Sequence, residues 1–499
     1  MPGILLHRPA PGATTCIVIG ALPEPREADL SVFRAVLWCI DSGSASPLPA
    51  SLVSNRVQIV RPDIADTAAV LERFIRFNPR SLPSLILSRS VEGALAEKYR
   101  TFITETHRLL ESTHRTRFTR QQDGFTWQKH ILQNAPAYAK NRMPATWAGA
   151  LTGTPAFVCG AGPSLDISIR KLAAAANRAV IFAADSSLRA LARHGVQADF
   201  AVSIDVAKIP DKCLPDELPP TNVILASISP PAWQQAVQEQ RRFFLSGHQL
   251  TDDWFAQQGV PRTAINVAES CGSTAIELAH HLGCSPIYLF GLDLAVDEAN
   301  PARRHQKNAD PTLYLKSNYD PTAQLPRVPG NYSDTVPCFA FGDWQELDAR
   351  LAARSDSAVF NVNDRGARLR GTILMHPDHF VLNAPTGSKH EALCQLSSNA
   401  TDSGSAPETA LVRLRDVGET WRGALPSLRR ALETGGPAGL AEAFRPILLH
   451  PADGRALGAF ALKLMPHLVP PIEEDPTLWR TLLVEFEELS ALACAARTR

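Results

Sequence analysis

The sequence predicts an α/β protein built around a mostly parallel sheet. Three observations lead to this fold class. Apolar runs of strand length recur between residues 156 and 294, helix-prone segments separate them, and most of them end in Gly, Ser or Asp. The runs are AFVCG (156–160), AVIFAAD (179–185), DFAVSID (199–205), VILASIS (223–229), FFLS (243–246) and SPIYLFGLDL (285–294). Continuous apolar strands separated by helices are typical of a parallel sheet that is covered on both faces.

The region before this sheet predicts a smaller N-terminal α/β domain over residues 1–115. Short apolar runs alternate there with helical stretches, at TTCIVIG (14–20), VFRAVLWCID (32–41), RVQIVRP (56–62) and SLPSLILSR (81–89). Residues 116–150 then predict a helical connector of one or two helices, broken at Pro136 and Pro144.

The region after the sheet predicts a joint and a helical end. The central domain spans residues 151–380. Residues 381–408 are rich in Ser, Thr, Asn and Gly and predict a flexible linker. Apolar residues at helical spacing predict a helical C-terminal region over 409–499.

Composition and charge disfavour several classes of function. The chain has 499 residues, with Lys+Arg and Asp+Glu both 50, so its net charge of zero disfavours a generic nucleic-acid binder. The nine cysteines are never spaced as C-x-x-C, which disfavours a zinc ribbon, a thioredoxin motif or a disulfide framework. No run approaches 18 apolar residues, and the N-terminus lacks a signal-peptide pattern. We therefore expect a soluble, cytoplasmic protein with no membrane insertion.

The sharpest motif is FVCGAGPSLD (157–166), which predicts a strand, a Gly-rich turn and a helix. Gly160 and Gly162 permit positive φ and close backbone approach, and Pro163 and Ser164 stand where a helix begins. Backbone N–H groups of Gly160, Ala161 and their neighbours at such a helix start favour a phosphate. The spacing is neither a P-loop nor a full dinucleotide fingerprint. A tight turn without a ligand stays open as an interpretation.

Other candidate residues follow the remaining strands and begin one helix. Asp185 with Ser186, Asp205 and Asp293 end strands, while SCGST (270–274) opens a helix through Gly272, Ser273 and Thr274. Asp205 is a candidate ligand for Mg²⁺, but it lacks the D-x-D spacing of metal-dependent transferases. Mg²⁺ therefore stays open as a cofactor. His280 and His281 are adjacent in a helix and are interpreted as structural, because a metal pair favours i, i+4.

Several motifs occur in an order that resembles one family. They are GAGPSLD, ADSSLRALARHGVQADFAVSID (184–205), SCGSTAIELAHHLGCSPIYLFGLDLA (270–295), VPGNY (328–332) and NVNDRGARLRGT (361–372). In this order they resemble the bacterial motility-associated factor (Maf) glycosyltransferases, formerly a domain of unknown function (DUF115). That family shares its central, MptE-like domain with an archaeal 6-hydroxymethylpterin diphosphokinase. The resemblance covers about residues 120–375.

The resemblance implies a Rossmann-like, sialyltransferase-like (GT-A-like) central domain that uses a CMP-activated nonulosonic acid, such as pseudaminic or legionaminic acid. The acceptor would be a Ser or Thr hydroxyl of flagellin. In bacterial sialyltransferases a similar G-x-G-P-S turn contacts CMP, and the next two strand ends, which also contact the nucleotide, often carry Asn. Asp185 and Asp205 stand at those positions here, which departs from the pattern and leaves their role open.

The resemblance also suggests roles for residues in the long segment after the Asp293 strand. The family often has a His shortly after its G-x-D-L-A strand, so His305 is the first candidate for the base that activates the acceptor, with Asp293 next. Arg303 and Arg304 would pair with a sugar carboxylate or a phosphate. Tyr332 is a candidate contact for the phosphate or the sugar, because a tyrosine on a lid can donate to a departing phosphate, and Tyr314 and Tyr319 compete for this role. The resemblance implies that Asn361 lies near the ligand edge.

Two other functions compete with this hypothesis. One is a pterin diphosphokinase that uses ATP and Mg²⁺, with Asp185, Asp205 and Asp293 as its carboxylates. The other is a non-catalytic module that binds a nucleotide or flagellin. An imidazole of His305 turned toward the GAGPS turn would count against that module.

Overall fold

The computed structural model of the protein describes residues 4–10, 12–22, 30–41, 56–76, 81–247, 250–296, 303–307, 309, 325–354, 358–383, 388–398, 407–469 and 472–497. The chain divides into two compact units. The first comprises Met1–Gly124, Leu428–Pro446 and Ala461–Leu482, and the second comprises Phe125–Ser427, Ile447–Phe460 and Leu483–Arg499.

The first unit contains a five-stranded sheet. Its strands are β1 (Ile4–Arg8), β2 (Thr15–Ile19), β3 (Ala35–Cys39), β4 (Val57–Val60) and β5 (Ser84–Ser88), in the order β1-β5-β2-β3-β4. All neighbours are parallel except β1 and β5. Helix α1 (Thr67–Arg76) buries Leu71, Phe74 and Ile75 against the sheet core, as the apolar spacing of the segment requires. This sheet agrees with the predicted N-terminal α/β region.

A long helix, α2 (Ala96–Lys140), follows the first sheet. It continues through Pro136, so the predicted break at that residue is wrong. A helix-interior Pro costs about 3 kcal/mol. Around Pro136 the residues Leu132, Ala135 and Ala139 are almost completely buried, and the packing of this face offsets the local cost.

The second unit contains an eight-stranded sheet, in which every strand pair is parallel. In chain order the strands of the unit are β6 (Ala156–Cys159), β7 (Val180–Ala184), β8 (Phe200–Ser203), β9 (Asn222–Ala226), β10 (Arg242–Leu245), β11 (Ile287–Phe290), β12 (Arg327–Pro329), β13 (Thr335–Pro337), β14 (Val359–Val362) and β15 (Ile373–Met375). The sheet order is β10-β9-β8-β7-β6-β11-β14-β15, while β12 and β13 form a separate antiparallel pair. The parallel sheet that the apolar runs predicted is confirmed.

Helices connect these strands and continue to the C-terminus. They are α3 (Leu165–Ala175), α4 (Leu188–Arg193), α5 (Pro210–Cys213), α6 (Trp233–Ala236), α7 (Leu250–Gln257), α8 (Cys271–His281), α9 (Phe341–Ala352), α10 (Ser388–Ser398), α11 (Pro407–Leu448), α12 (Gly458–Leu464) and α13 (Pro476–Cys494). Helix α11 changes direction at Gly436, whose φ is +60°. The predicted helical C-terminal region is helical, and its residues belong in part to each unit.

The predicted linker at 381–408 contains an ordered helix. Helix α10 occupies Ser388–Ser398, and its Ala392 and Leu396 belong to the core cluster of the large sheet. A continuous flexible linker is therefore wrong for this part of the segment, because two apolar contacts and an ion pair from Lys389 to Asp199 (2.7 Å) hold the helix. Residues 384–387 and 399–406 of the prediction lie outside the described residues.

None of the helices in the described part of the chain combines the length and the apolar character that a membrane crossing requires.

Candidate functional site

The carboxyl ends of the parallel strands gather most of the predicted site residues at one edge of the large sheet. After β6 the chain moves outward through β7, β8, β9 and β10 on one side, whereas β11, β14 and β15 lie on the other. The order therefore reverses between β6 and β11. In open α/β sheets such a reversal point opens a crevice in which ligands bind.

The GAGPS turn after β6 packs directly on the segment that follows β11. Gly160 N donates to Phe290 O and Gly162 N donates to Gly291 O, each at 2.7 Å. A Cβ on Gly160 would lie 2.4 Å from Gly291 O, and one on Gly162 would lie 2.4 Å from Asp293 Oδ2. Neither glycine has a positive φ. Both are glycine because the neighbouring segment approaches them closely, and their N–H groups are used inside the protein rather than left for a phosphate.

Asp293 holds the same turn through its side chain. Its Oδ2 accepts a hydrogen bond from Ser164 N at 2.7 Å, and its backbone carbonyl accepts from Ala367 N at 2.8 Å. The carboxyl group is almost completely buried, and Oδ1 has no hydrogen-bond partner among the described residues. Burial raises the pKa of Asp293 to about 6. Ser164 is fully buried beside this carboxylate, so its hydroxyl does not face solvent.

The segment 303–307 lies against the GAGPS turn and the first residues of α3. Gln306 N donates to Ala161 O at 2.8 Å, Lys307 N donates to Asp166 Oδ2 at 3.1 Å, and Arg303 forms an ion pair with Asp166. These three contacts place His305 beside the turn. Arg304 lies over the Phe339 ring, with 5.2 Å from its Cζ to the ring centroid.

Both ring nitrogens of His305 are shielded from solvent, and the imidazole is held neutral at pH 7. The pKa of His305 is lowered to about 4, mainly by burial and also by the positive charges of Lys208 and Arg304, and the Ala161 backbone opposes part of this shift. At neutral pH the ring is therefore uncharged and can accept a proton. The segment that carries His305 thus lies beside the GAGPS turn, which is the position expected of the candidate base.

Asp185, at the end of β7, is fully buried in a polar cluster. Its Oδ1 contacts Lys208 Nζ at 3.0 Å and accepts from Ser186 N at 2.7 Å. Its Oδ2 accepts from Ser203 Oγ at 2.8 Å and from Cys271 Sγ at 3.5 Å. The carboxylate is thus used within the protein, and the cation that it holds, Lys208, is a residue that the sequence analysis missed.

The other predicted residues on the β7 and β8 side have local structural contacts. Asp205 is exposed, and its Oδ1 accepts from Ala207 N at 2.8 Å, which caps the turn after β8. Ser270 caps α8 by accepting from Ser273 N at 3.1 Å. A Cβ on Gly272 would lie 2.6 Å from Leu292 Cδ2, so this glycine serves close packing.

Tyr332 and Asn361 lie on the β14 side of the edge. Tyr332 is 50% exposed, and its hydroxyl donates to Asn363 O at 3.0 Å. Asn361 accepts from Asn363 Nδ2 at 2.9 Å, and its own Nδ2 is buried with no partner among the described residues. Tyr314 and Tyr319, the competitors of Tyr332, lie outside the described residues.

The three predicted carboxylates do not form a metal site. Within the part of the chain that the structure describes, no group of three or more His, Cys, Asp or Glu side chains is arranged to hold a metal ion. Asp185 is taken by Lys208, Asp205 by its own turn, and one oxygen of Asp293 by Ser164. These residues therefore do not fit a Mg²⁺ ion held by all three carboxylates.

Comparisons with known proteins agree with the motifs. Residues 129–299 match the family described as 6-hydroxymethylpterin diphosphokinase MptE-like. The structure is similar to that of a Maf glycosyltransferase from Magnetospirillum magneticum AMB-1, with a TM-score of 0.56 and 16% identity over 97% of this chain and 78% of that chain. None of the curated proteins matches the sequence significantly. Residues 129–299 thus resemble the MptE-like family, and the chain has an α/β fold similar to that of a Maf glycosyltransferase.

Proposed function

We propose that this protein is a cytoplasmic glycosyltransferase that moves a nonulosonic acid from a CMP-activated donor to a Ser or Thr hydroxyl of flagellin. The observation that carries the proposal is the position of His305. Its neutral imidazole is next to Gln306, whose N donates to Ala161 O at 2.8 Å, at the reversal point of a parallel sheet. A potential base thus stands beside the crevice where such sheets bind ligands.

The transfer reaction consists of the departure of CMP and the attack of the acceptor hydroxyl. The bond between the sugar carbon and the phosphate oxygen breaks, and its electron pair leaves with CMP. The acceptor oxygen forms the new bond to that carbon and loses its proton to a base. A base with a low pKa is adequate here because the hydroxyl becomes acidic as it attacks an oxocarbenium-like carbon. His305 would take this proton, while Asp293 stays behind the turn and fixes its backbone.

Tyr332 supports the same proposal from the other side of the edge. Its hydroxyl is anchored to Asn363 O, and half of the side chain remains exposed. A phenol has a single O–H, so the hydroxyl would donate to a bound phosphate by exchanging its hydrogen bond to Asn363 O for one to the phosphate. We assign it to the donor phosphate.

The diphosphokinase is the second candidate, since the matched family carries that name. It would require ATP and Mg²⁺ held by carboxylates. Four groups of the protein already contact the carboxylate oxygens of Asp185, which argues against their binding Mg²⁺.

A thermal-shift comparison of CMP, CTP, ATP and UDP tests the proposal. A ligand that binds the native state raises the melting temperature by mass action. We expect CMP to give the largest shift at equal concentration. Stabilisation by ATP with none by CMP would contradict the transferase and favour the diphosphokinase.

A further inference from the structure

Lys208 is a cation fixed at the carboxyl end of β8. It follows Asp205 by three residues, and Trp233 Nε1 donates to its backbone carbonyl at 2.8 Å. Its side chain is only 9% exposed and its Nζ lies 3.0 Å from Asp185 Oδ1. A lysine is a flexible side chain in most settings, but here both ends are anchored.

Stability alone is a weak reason for this arrangement. A buried ion pair loses about as much from desolvation as it gains from attraction, so replacing both charges by apolar groups is often neutral. Asp185 is nevertheless held by Ser203, Ser186 and Cys271 in addition to Lys208. These contacts fix the carboxylate of Asp185, which in turn fixes the position of the Lys208 ammonium group.

The ammonium group acts on the candidate site. Lys208 Nζ is held by Asp185 at the end of β7, and β7 pairs directly with β6, which leads into the GAGPS turn, so the ammonium group lies at the same edge of the sheet as the turn. Its charge also contributes to the lowered pKa of His305. The charged and titratable groups around Lys208 include Asp185, which contacts it, and Cys271, which contacts Asp185. Cys213, Asp205 and Arg304 lie in the surroundings.

A phosphate at this edge needs positive charge from a side chain. Three N–H groups of the turn, at Gly160, Gly162 and Ser164, already donate to the β11 segment. Pro163 has no N–H. The turn by itself therefore offers little to an anion, and the buried carboxyl group of Asp293 behind it adds no positive charge.

We propose that Lys208, oriented by Asp185, binds the phosphate of the donor nucleotide. The inference rests on the proposed function and adds a residue to its site. A compact ammonium suits a phosphate, and its withdrawal from water makes each charge-assisted hydrogen bond stronger than it would be at the surface.

The test compares a ligand that carries the phosphate with one that lacks it. Affinities of the wild type, Lys208→Met and Lys208→Arg for CMP and for cytidine are measured by titration calorimetry at low salt. We expect Lys208→Met to lose CMP affinity roughly 10- to 100-fold, the loss typical of a charge-assisted hydrogen bond, and to keep its cytidine affinity. Lys208→Arg should recover part of the CMP affinity. The matched control is Lys212→Met in α5, four residues further on, which should leave both affinities unchanged.

Each outcome has a distinct meaning. A wild type that does not prefer CMP to cytidine contradicts the proposed function itself. A wild type that prefers CMP, with a Lys208→Met variant that keeps this preference, overturns the role of Lys208 alone.

Two further measurements test the proposal even if the Lys208→Met variant alone does not fold. Asp185→Asn combined with Lys208→Met removes both charges, and this variant should show the same selective loss of CMP affinity. In the wild type, NMR titration of labelled histidines should show that CMP, but not cytidine, raises the pKa of His305, because a bound phosphate neutralises Lys208. An unchanged His305 pKa in saturating CMP would overturn the proposal.

Discussion

The carboxylate of Asp293 meets the backbone N–H of Ser164 at 2.7 Å, across 129 positions of the chain. This contact joins the turn after β6 to the segment after β11, at the point where the sheet order reverses. The carboxyl group is buried with one oxygen unpartnered among the described residues, which is unfavourable for folding. A buried carboxyl group that destabilises the fold and lies at the ligand-binding edge of a sheet is typical of a functional site.

Replacing Asp293 by Asn should stabilise the protein at pH 8. Burial raises the folded-state pKa of this acid to about 6 from an ordinary 3.8, so the native protein binds its proton before the unfolded chain does. The Asp293 contribution to stability is therefore present at low pH and is lost as pH rises from about 4 to about 6. The Asn variant keeps an acceptor for Ser164 N and should gain up to about 3 kcal/mol of unfolding free energy at pH 8.

Urea denaturation of both proteins at pH 8 and pH 4.5 checks this expectation. The gain should shrink strongly at pH 4.5, where wild-type Asp293 is protonated. A gain of equal size at both pH values would show that ionisation of Asp293 is not its cause.

Gly162→Ala should destabilise the protein. The added methyl would lie 2.4 Å from Asp293 Oδ2 and 2.8 Å from Gly291 O, so the turn and the β11 segment must separate. Overpacking of this kind costs about 1–3 kcal/mol. Gly423→Ala in α11 is the matched control, because nothing lies within 4 Å of its added methyl and Ala favours a helix. If thermal denaturation gave both variants the same melting temperature, the close approach at Gly162 would be refuted.

His305→Ala should keep CMP affinity and lose transfer by about 10²–10⁴-fold, the usual contribution of a general base. His281→Ala, a helix residue away from the turn, is the control and should transfer at the wild-type rate. Rates with a CMP-sugar and a flagellin acceptor, together with CMP titrations, measure both quantities. Wild-type transfer by the His305→Ala variant would show that His305 is not the base.

The pH dependence of transfer follows from the same imidazole. Transfer requires neutral His305, and its folded-state pKa is lowered to about 4, so the neutral fraction stays near one between pH 8 and about pH 5. We expect kcat/KM to show no loss with a midpoint near 6.5, the ordinary histidine value. A decline centred at 6.5 that His305→Gln abolishes would contradict the lowered pKa.

Lys389→Met should destabilise the protein mainly at high pH. Lys389 on α10 pairs with Asp199 at 2.7 Å, and burial already raises the pKa of that acid despite the pairing. Without Lys389 the carboxylate is buried with no positive partner at this contact, which costs about 3 kcal/mol. Because the folded-state pKa is raised, protonation recovers stability as pH falls, so the deficit should be smaller at pH 5 than at pH 8.

Adding Asp199→Asn to Lys389→Met provides the control, since it removes both charges and should restore most of the lost stability. A single variant as stable as wild type at pH 8 would mean that α10 is not held by this pair.

Much of the fold was predictable because buried parallel strands are apolar throughout. The runs that predicted strands at Ala156–Cys159 and Ile287–Phe290 also placed GAGPS and Asp293 at one edge. Local sequence patterns gave wrong predictions where packing against distant parts of the chain determines the structure. Helix α2 continues through Pro136 because a buried face holds it, and α10 has too few apolar residues to stand out, although Ala392 and Leu396 reach the core.

The site shows the same division. The two glycines of GAGPS were predicted to be needed for close approach, but the neighbour that approaches is the β11 segment, which no local pattern reveals. Lys208 follows Asp205 in an exposed-looking stretch, and its pairing with Asp185 depends on how β7 and β8 align. The one available signal was its rarity, since the chain has ten lysines among 50 basic residues.

The most direct measurement is the intact mass of flagellin incubated with this protein and a CMP-activated nonulosonic acid. The account predicts an acceptor heavier by one or more sugar residues, with one CMP released for each residue added, and a greatly reduced rate for the His305→Ala variant. No mass increase, together with formation of a pterin diphosphate and AMP from ATP and 6-hydroxymethylpterin, would contradict it.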